Sequence, residues 1–414
     1  MQELQNPQFA DLHLHSKYSR ATSKNSNIEE LARNAKIKGL TVLGTGDFTH
    51  PLWLKEIREK LSDENGIYDY DGIKFIPSGE ISLMYSQGGK GRRIHHVLLA
   101  PNFEVVDQIN EWLLKKGRLN YDGRPIFGFS SIELVENMMN ISKDIMIIPA
   151  HCWTPWFSIF GSMSGFDSVE ECFQDKAKHI YALETGLSSN PAMNWRMSNL
   201  DRYSLVSFSD SHSPFPNRIG RECCVFDIKD IAYNKLIDAI KTRRNFSMTI
   251  EFFPEEGKYH FDGHRACNIS MHPSESNSIN KICPVCNKGM VIGVLNRVEE
   301  LADRPENYVP KDRIPFKSFI PLIESIAFVQ GSTTTSKKVT DLYNQLIASF
   351  GNELNILLNV PSYELKKCLK DKIANFIIKM REGKIKFDAG YDGVYGRPII
   401  ENDEMMQKGL GRFV

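Results

Sequence analysis

Asp11, His13 and His15 alternate with apolar residues in the stretch FADLHLHSKYS, near the amino terminus. Successive side chains of a β-strand point to opposite faces, so these three residues share one face if the stretch is a strand. One His-x-His pair alone is typical of a strand with a hydrated face, because short motifs often match by chance. The other polar residues of the chain decide between that interpretation and a metal site.

Ionisable residues follow nearly all of the short apolar runs in the first 250 residues. The runs are FADLHLH, LTVLGTGD, IKFIPSGE, RIHHVLLA, DIMIIPAH, IYALETG and YSLVSFSDSH. The ionisable residues at or beside their ends are His13, His15, Asp47, His50, Glu80, His95, His96, His151, Glu184, Asp210 and His212. Because the carboxyl ends of barrel strands meet around one mouth, this pattern favours a barrel over an open sheet.

Amphipathic helical stretches separate most of these runs. In NIEELARNAKIKG, for example, Ile28, Leu31, Ala32 and Ala35 share one face, and Gly39 is a helix stop. Strand–helix alternation of this kind predicts an α/β fold with a mainly parallel sheet. Imidazole and carboxylate ligands at the mouth of such a fold suit zinc, manganese or iron. Several such ions lower the pKa of water and bind the oxygens of a phosphoester.

The motifs DLHLHSKYS, GTGDFTHP, GE, HVLL, PAH and SFSDSH, in that order, resemble those of the polymerase-and-histidinol-phosphatase (PHP) family. The resemblance implies a distorted seven-stranded (β/α) PHP barrel with a zinc cluster, and with magnesium or manganese as further candidates for the activating ion. It implies metal ligands at His13, His15, Glu80, His96, His151, Asp210 and His212, and catalytic roles for Asp47, Glu80, Asp210 and His212.

Two positions of this resemblance stay open. Phe48 stands where the family has a histidine after the second strand, so either His50 supplies that ligand from the loop or the site binds fewer metals. His95 competes with His96, because only one of two adjacent strand residues can face the mouth.

A second candidate metal site lies in the segment HFDGHRAC to KICPVCNKGM. Cys283 and Cys286 form a CxxC knuckle, and His264 stands at the same spacing from Cys267. Three cysteines and one histidine make a typical structural zinc site, so these four residues are the predicted ligands of a zinc-ribbon-like segment. His272 is the alternative fourth ligand.

The motifs YHFDGHRAC, CPVC, GVLNRVEELADRP and GYDGVYG, after a PHP-like barrel, resemble the endonuclease Q family over nearly the whole chain. The resemblance implies a DNA-repair hydrolase that cuts the phosphodiester 5′ to uracil, hypoxanthine, xanthine and abasic sites. It implies 3′-hydroxyl and 5′-phosphate products. The alternatives are a PHP-type phosphoesterase for a small phosphate ester and a non-catalytic DNA or clamp adaptor.

Several basic and aromatic residues are candidate DNA contacts. The segment from Pro361 to Lys386 has eight Lys and Arg against three Asp and Glu, which favours phosphate binding. Aromatic residues beside a mouth can stack on an unstacked base. The predicted DNA-binding residues are Arg20, Arg92, Arg93, Trp153, Trp156, Arg218, Lys366, Lys367 and Lys370. Arg92 and Arg93 are expected in a Gly-rich loop, QGGKGRR, close to the mouth.

The last residues, QKGLGRFV, match a sliding-clamp-binding pattern at Gln407, Leu410 and Phe413. Fifty-one basic and fifty-one acidic residues cancel, so the net charge favours no class of partner. No apolar run approaches the roughly 20 residues of a membrane-spanning helix. The eight cysteines form no disulfide framework, which favours a cytoplasmic protein. The resemblance to endonuclease Q implies damaged DNA as the partner and therefore a nucleoid-associated location.

Four segments are predicted along the chain. They are a metal-dependent hydrolase barrel (residues 1–252), a zinc-binding segment (253–303), a helical and partly basic DNA-binding domain (304–400) and a flexible tail with the clamp-binding motif (401–414).

Overall fold

The computed structural model describes residues 4–63 and 67–399. In this part of the chain, no helix combines the length and the apolar character that crossing a membrane requires. The strands are β1 (Pro7–Asp11), β2 (Val42–Gly44), β3 (Ser62–Asp63), β4 (Tyr68–Tyr70), β5 (Ile73–Ile76), β6 (Ser78–Gln87), β7 (Lys90–Leu99), β8 (Ile126–Phe127), β9 (Met146–Pro149), β10 (Ala182–Glu184), β11 (Ser204–Val206), β12 (Cys223–Asp227), β13 (Phe246–Glu251), β14 (Asp262–His264), β15 (Ile269–Met271), β16 (Phe316–Ser318), β17 (Lys386–Asp388) and β18 (Arg397–Ile399).

Helices cover these strands and form most of the carboxyl-terminal region. They are α1 (Ile28–Lys38), α2 (Pro51–Lys60), α3 (Phe103–Leu114), α4 (Ser131–Ile141), α5 (Val169–Phe173), α6 (Pro191–Asn194), α7 (Tyr233–Thr242), α8 (Pro273–Ser278), α9 (Val294–Leu301), α10 (Leu322–Val329), α11 (Lys337–Phe350), α12 (Glu353–Leu358), α13 (Ser362–Cys368) and α14 (Asp371–Arg381). The protein is therefore a mixed α/β fold with a helical carboxyl-terminal region.

Helix α1 confirms the boundaries that its sequence predicts. The side chain of Asn27 accepts a hydrogen bond from the amide of Glu30 at the first turn, and Gly39 ends the helix with a φ of 100°. Only glycine adopts such a left-handed conformation without strain, which explains the helix stop. Its apolar face is buried against the sheet, as the spacing indicates.

Seven chain segments surround the space where the predicted site residues meet. β1 pairs in parallel with β2, and β2 with β5, after which the chain passes through Pro77 into β6. β6 pairs with β7, and β7 pairs with β9. The amide of Cys152, after β9, donates to the carbonyl of Glu184 at the end of β10. β10 pairs with β11, and a bridge between Leu14 and Ser211 leads back to β1.

The β6–β7 hairpin departs from the mainly parallel arrangement predicted from the sequence. β7 is antiparallel to both of its neighbours, β6 and β9. Gly88 and Gly89 both have positive φ and form the two-residue turn that joins β6 to β7. A Gly-Gly turn of this type favours a hairpin, so QGGKGRR is a hairpin end and not a loop at the mouth. Arg92 and Arg93 consequently lie within β7.

The two faces of this hairpin have different surroundings. Directly opposed residues of an antiparallel pair lie on the same side of the sheet. One face carries Ile81, Leu83 and Ile94, which pack into a core with α3 and α4. The other face carries Glu80, which is buried inside the strand ring, and farther along β6 it carries Met84, which is exposed to solvent.

The carboxyl-terminal helices are joined to the strand region by a buried ion pair. Lys38 of α1 donates to a carboxylate oxygen of Glu353, the first residue of α12, over 2.7 Å. The hydroxyl of Tyr343 donates to the other oxygen of Glu353, and the amide of Leu322 donates to the first. A buried charge is tolerated when all of its polar atoms are paired, so this network fixes α10–α14 against α1.

Candidate metal centre and DNA interface

Six side chains from five segments converge inside the strand ring, and we call them the mouth cluster: His13, His15, Glu80, His95, His151 and Asp210. Possible ligand atoms of His13, His15, Glu80 and Asp210 lie within 4.8 Å of one another, as do those of Glu80, His95 and His151. Glu80 belongs to both groups. The cluster can therefore hold more than one ion, with Glu80 as the shared carboxylate.

His13 and His15 are oriented by carboxylates behind them. Nδ1 of His13 lies 2.9 Å from Oε1 of Glu184, and Nδ1 of His15 lies 2.9 Å from Oδ1 of Asp47. Burial disfavours the charged imidazoles, but these carboxylates and their neighbours outweigh burial and raise the pKa of both histidines well above the ordinary value. Each Nε2 points to the cluster, where both are buried without a hydrogen-bond partner.

Asp47 and Glu184 thus contact the histidine rings on the side away from the cluster. Asp47 also accepts hydrogen bonds from the amide and the hydroxyl of Ser16. Glu184 accepts a 2.7 Å hydrogen bond from the amide of His151 as well. A carboxylate on one ring nitrogen fixes which nitrogen of the imidazole is available to a metal. Glu184 stands at the end of an apolar run, but the sequence pattern predicts no role for it.

Glu80 lies at the centre of the cluster. Its Oε1 is 2.7 Å from Nδ1 of His95 and 3.3 Å from Nε2 of His151, and its Oε2 is 3.2 Å from Nε2 of His15. Burial opposes its charge, but His95, Arg124 and His13 lower its pKa well below the usual value. Glu80 is therefore an ionised carboxylate that faces both ligand groups.

The ladder of the β6–β7 hairpin separates His95 from His96. His95 lies opposite Ser82, on the face of β7 that carries the mouth cluster, whereas His96 points to the opposite face. There Nε2 of His96 lies 2.9 Å from the hydroxyl of Ser131, and its ring packs on Phe173. The structure therefore takes His96 out of the predicted ligand set and brings His95 into it. Burial lowers the pKa of His95 to about 4, so its imidazole is neutral.

Three site residues have an unusual backbone conformation. Asp47, His151 and Asp210 have φ of 46°, 30° and 45°, in the left-handed region that non-glycine residues rarely adopt. All three follow strands of the ring. Backbone strain of this kind concentrates at functional sites, where surrounding structure holds it in place.

The donor set fits divalent metal ions. Nε2 of His13, Nε2 of His15 and Oδ1 of Asp210 are all buried without a hydrogen-bond partner among the described residues. A buried polar atom without a partner is unfavourable unless an ion or water satisfies it. Imidazole nitrogens and carboxylate oxygens together suit zinc or manganese.

Two predicted ligands lie outside these groups. His50 precedes α2, its ring stacks on Tyr18 at 4.5 Å, and it belongs to neither group. Nδ1 of His212 lies 3.0 Å from the backbone carbonyl of Asp210, and its ring centre is 4.4 Å from that of His15. His212 is thus a neighbour of the cluster, whereas His50 packs on Tyr18.

Arg124 is a residue of the site that the sequence analysis missed. Its Nη1 donates to Oε2 of Glu80 over 3.0 Å, and about a quarter of its side chain is exposed (27%). Glu80 and Asp210 raise its pKa, so the guanidinium is a permanent charge at the mouth. Arg124 follows Asp122 and Gly123 in a loop, where no periodic pattern marks it.

The predicted DNA contacts on the hairpin and the following loop divide into exposed and buried residues. Arg93 and Trp156 are exposed. Arg92 is buried, pairs with Glu171 and stacks on Phe166, with the guanidinium carbon 3.8 Å from the ring centre. Trp153 is buried as well, and its indole donates to Asn194. Neither Arg92 nor Trp153 is accessible to DNA in this conformation.

The other predicted DNA contacts lie at the surface. Arg20 is 3.5 Å from a carboxylate oxygen of Asp122, and Arg218 is 3.4 Å from Glu324. The remaining three residues are exposed on or directly after α13: Lys366, Lys367 and Lys370. All five side chains are exposed, so they are accessible to a phosphate backbone without any rearrangement of the fold.

The cysteine cluster consists of His264, Cys267, Cys283 and Cys286, whose ligand atoms also lie within 4.8 Å of one another. Burial opposes the thiolate of Cys283, but the amides of Cys286 and Val285 and the ring of His264 lower its pKa to about 6. The alternative ligand His272 instead caps α8 by accepting from the amide of Ser274. The four predicted residues are thus close enough to one another to bind a single metal ion. The predicted clamp contacts Gln407, Leu410 and Phe413 lie outside the described residues and stay a prediction.

Comparison with known sequences relates this chain to one archaeal and one bacterial protein. The family described as the MJ0043 C-terminal domain matches residues 321–384. MJ0043 of Methanocaldococcus jannaschii is 33% identical over 294 residues, which are 69% of this chain and 35% of that protein. The chain therefore spans only about a third of the length of that relative. YqxK of Bacillus subtilis is 28% identical over 411 residues, 94% of this chain and 98% of that protein.

Two solved structures resemble the whole molecule. The lesion-specific endonuclease PfuEndoQ from Pyrococcus furiosus superposes with a TM-score of 0.87 at 31% identity, over 99% of both chains. An endonuclease Q in complex with a 27-mer duplex substrate, with an abasic lesion at the active site, superposes with a TM-score of 0.85 at 33% identity. That likeness covers 96% of this chain and 97% of the other. From sequence identity and structural similarity over the full length, the chain belongs to the endonuclease Q family.

Proposed function

We propose that this protein is a metal-dependent DNA-repair endonuclease that hydrolyses the phosphodiester 5′ to a damaged nucleotide. The substrates are deaminated bases (uracil, hypoxanthine and xanthine) and abasic sites, and the products carry a 3′-hydroxyl and a 5′-phosphate. Family membership supports DNA cleavage, since one solved relative is lesion-specific and another holds an abasic duplex. The finer base preference rests on the sequence resemblance.

One observation carries the metal dependence. Two imidazole nitrogens and one carboxylate oxygen, on His13, His15 and Asp210, are buried at one point without hydrogen-bond partners. Such a group is unfavourable in a folded protein unless an ion or water satisfies it, and its imidazole and carboxylate donors suit a divalent cation. Divalent ions held there would supply Lewis acidity, which would make water a better nucleophile and offset charge on the phosphodiester oxygens.

The side chains have distinct roles in this proposal. His13, His15, His95, His151, Glu80 and Asp210 hold the ions. Asp47 and Glu184 fix the imidazoles of His15 and His13 and so keep Nε2 available. Arg124 binds a nonbridging phosphate oxygen and stabilises the charge that grows there in the transition state. His212, beside Asp210, orients the water that attacks phosphorus.

The remaining parts position the DNA. We interpret the ring of seven segments as a distorted barrel, and the cysteine cluster as a structural zinc site that stiffens residues 253–303. Lys366, Lys367 and Lys370 present a row of charges, with Tyr363 beside Lys367. Lysines at such a surface bind phosphates without reading sequence.

The test is digestion of one end-labelled duplex series that carries uracil, hypoxanthine, an abasic site or no lesion. We expect a single cut 5′ to each lesion, no cut in the undamaged duplex, and loss of cutting after chelation. Hydrolysis of a small chromogenic phosphate ester without any nicking of the duplexes would instead assign the cluster to a small-molecule phosphoesterase. Binding without any hydrolysis would indicate a non-catalytic adaptor.

A further inference from the structure

An open pocket lies on the outward half of the β6–β7 hairpin. Its volume is about 460 Å³, and Met84, Arg93, Trp156 and Met163 line its rim. All four of these side chains are exposed. Exposed large apolar side chains that gather at one concave surface commonly mark a binding site.

The pocket continues the face of the hairpin that carries the mouth cluster. Met84 lies opposite Arg93 in the ladder, and Ser82 lies opposite His95. Side chains of one face repeat every second residue, so Glu80, Ser82 and Met84 follow one another along β6. Met84 stands about 13 Å from Glu80 at roughly 3.3 Å per residue, so a chain bound at the cluster can reach the pocket.

Phe157 contacts both the cluster and a residue that lines the pocket. The ring of His95 is 4.6 Å from that of Phe157, and the guanidinium of Arg93 is 6.0 Å from the centre of the Phe157 ring. Next to Phe157, the indole of Trp156 contacts Tyr259 edge to face at 5.6 Å. Tyr259 therefore holds the indole in place, while 37% of the surface of Trp156 stays exposed.

The charge of Arg93 is available to a ligand. Among the residues that the structure describes, no ion pair involves Arg93, whereas the adjacent Arg92 pairs with Glu171. An exposed indole and two thioethers offer flat, polarisable surface, and an unpaired guanidinium next to them attracts an anion. This combination suits a base attached to a phosphate chain better than it suits a neutral apolar ligand.

We propose that this pocket binds a nucleobase of the cut strand, stacked on Trp156, while Arg93 contacts the adjoining phosphate. The proposal rests on the proposed function and names a subsite for its substrate. Two bases of that strand have this chemistry: the lesion base, turned out of the duplex, and a normal base next to the lesion. An abasic site lacks the first and keeps the second, so the two sources can be distinguished.

The experiment compares Trp156→Ala and Trp156→Phe on a uracil duplex and an abasic duplex. Loss of one stacked base weakens binding by about tenfold, so we expect kcat/KM for Trp156→Ala to fall by about that factor, with recovery in Trp156→Phe. Tyr181→Ala is the matched control, because Tyr181 is equally exposed (37%) but precedes β10, at the end opposite to Glu184. Hydrolysis of bis(p-nitrophenyl) phosphate checks that the metal centre is intact.

The pattern across the two substrates identifies the base. A loss on the uracil duplex alone assigns the pocket to the lesion base, and an equal loss on both duplexes assigns it to a neighbouring base. Unchanged kcat/KM on both would overturn the proposal. Quenching of Trp156 fluorescence by the same oligonucleotides, with Trp156→Phe as the reference, tests base binding at the pocket independently of nicking. If the wild type binds DNA without nicking it, that result contradicts the proposed function, and the quenching still tests the pocket.

Discussion

The mouth cluster and the cysteine cluster both gather side chains that are able to bind metal ions, but the fold assembles them in different ways. The mouth cluster collects residues from His13 to Asp210 on five segments of the strand ring, and five of its six side chains are buried. The cysteine cluster lies within residues 264–286, around one hairpin, and only Cys283 is buried. One site depends on the whole ring, whereas the other depends on a short local segment.

The two clusters also differ in the chemical type of their ligands. Soft thiolates close a tetrahedral zinc site and leave no position for a substrate. Imidazoles and carboxylates, with Arg124 beside them, leave room for water and phosphate oxygens. Under the proposed function, the mouth cluster carries the chemistry and the cysteine cluster contributes to stability. Variants at the two sites should separate nicking from folding, as the following predictions state.

The largest effect on nicking is expected for Asp210→Asn. The amide keeps the size of the side chain but loses the negative charge that a cation at the mouth needs, so we expect about a thousandfold lower rate. The rate is measured on a uracil duplex, and metal content is counted by mass spectrometry. Asp175→Asn, at a surface carboxylate paired with Lys176, is the matched control. Wild-type nicking in Asp210→Asn would remove this residue from the reaction.

His95→Gln and His96→Gln form a neighbouring pair that tests the face assignment. We expect about a hundredfold slower nicking for His95→Gln, because the variant loses a ligand of the mouth cluster. His96→Gln should nick at nearly the wild-type rate, but its free energy of unfolding should fall by about 1–2 kcal/mol, because Ser131 loses its imidazole partner. Nicking rates and urea denaturation separate the two outcomes. The reverse pattern would restore His96 as the ligand.

A smaller effect is expected for Arg124→Gln. The variant removes the guanidinium from Glu80 and from the transition state, so kcat should fall by about ten- to a hundredfold with full metal content. Arg118→Gln is the matched control, because Arg118 lies in the same loop and its guanidinium bonds, among the described residues, to Asn120 alone. A change in KM with an unaltered kcat would instead indicate that Arg124 only binds DNA.

The smallest effect on nicking is expected for Cys283→Ser. We expect the loss of one zinc ion per chain and a melting temperature lower by roughly 5 °C, because metal binding contributes directly to folding. Nicking should fall by about tenfold or less, through weaker DNA binding. Cys368→Ser changes an exposed cysteine on α13 and serves as control. A loss of nicking as large as that of Asp210→Asn would end the distinction between the two clusters.

Strand ends and local ligand spacing were predictable from sequence. Alternation places His13 and His15 on one face, and CxxC spacing indicates the cysteine cluster, because both signals depend on neighbouring residues. The choice between His95 and His96 was not predictable, since the hairpin ladder decides it and a shift of one residue exchanges the faces. The same ladder buries Arg92 and exposes Arg93.

Loop residues were harder to predict. Arg124 reaches Glu80 from a loop whose sequence has no periodicity, so only the folded chain shows the contact. Trp153 and Trp156 belong to one motif, but the partner Asn194, more than thirty residues later, takes the first into the core. Contacts between distant parts of the chain, not local propensity, determine these placements.

Metal titration of the chelated protein tests the central claim most directly. Zinc or manganese is added back in steps to full-length protein, and nicking of the uracil duplex is followed together with the number of bound ions. We predict that the first equivalent enters the cysteine cluster without restoring nicking, and that activity returns only as further ions bind the mouth cluster. In Asp210→Asn the first equivalent should bind and the later ones should not. Nicking that survives complete chelation, or that returns fully with the first equivalent, would contradict the account.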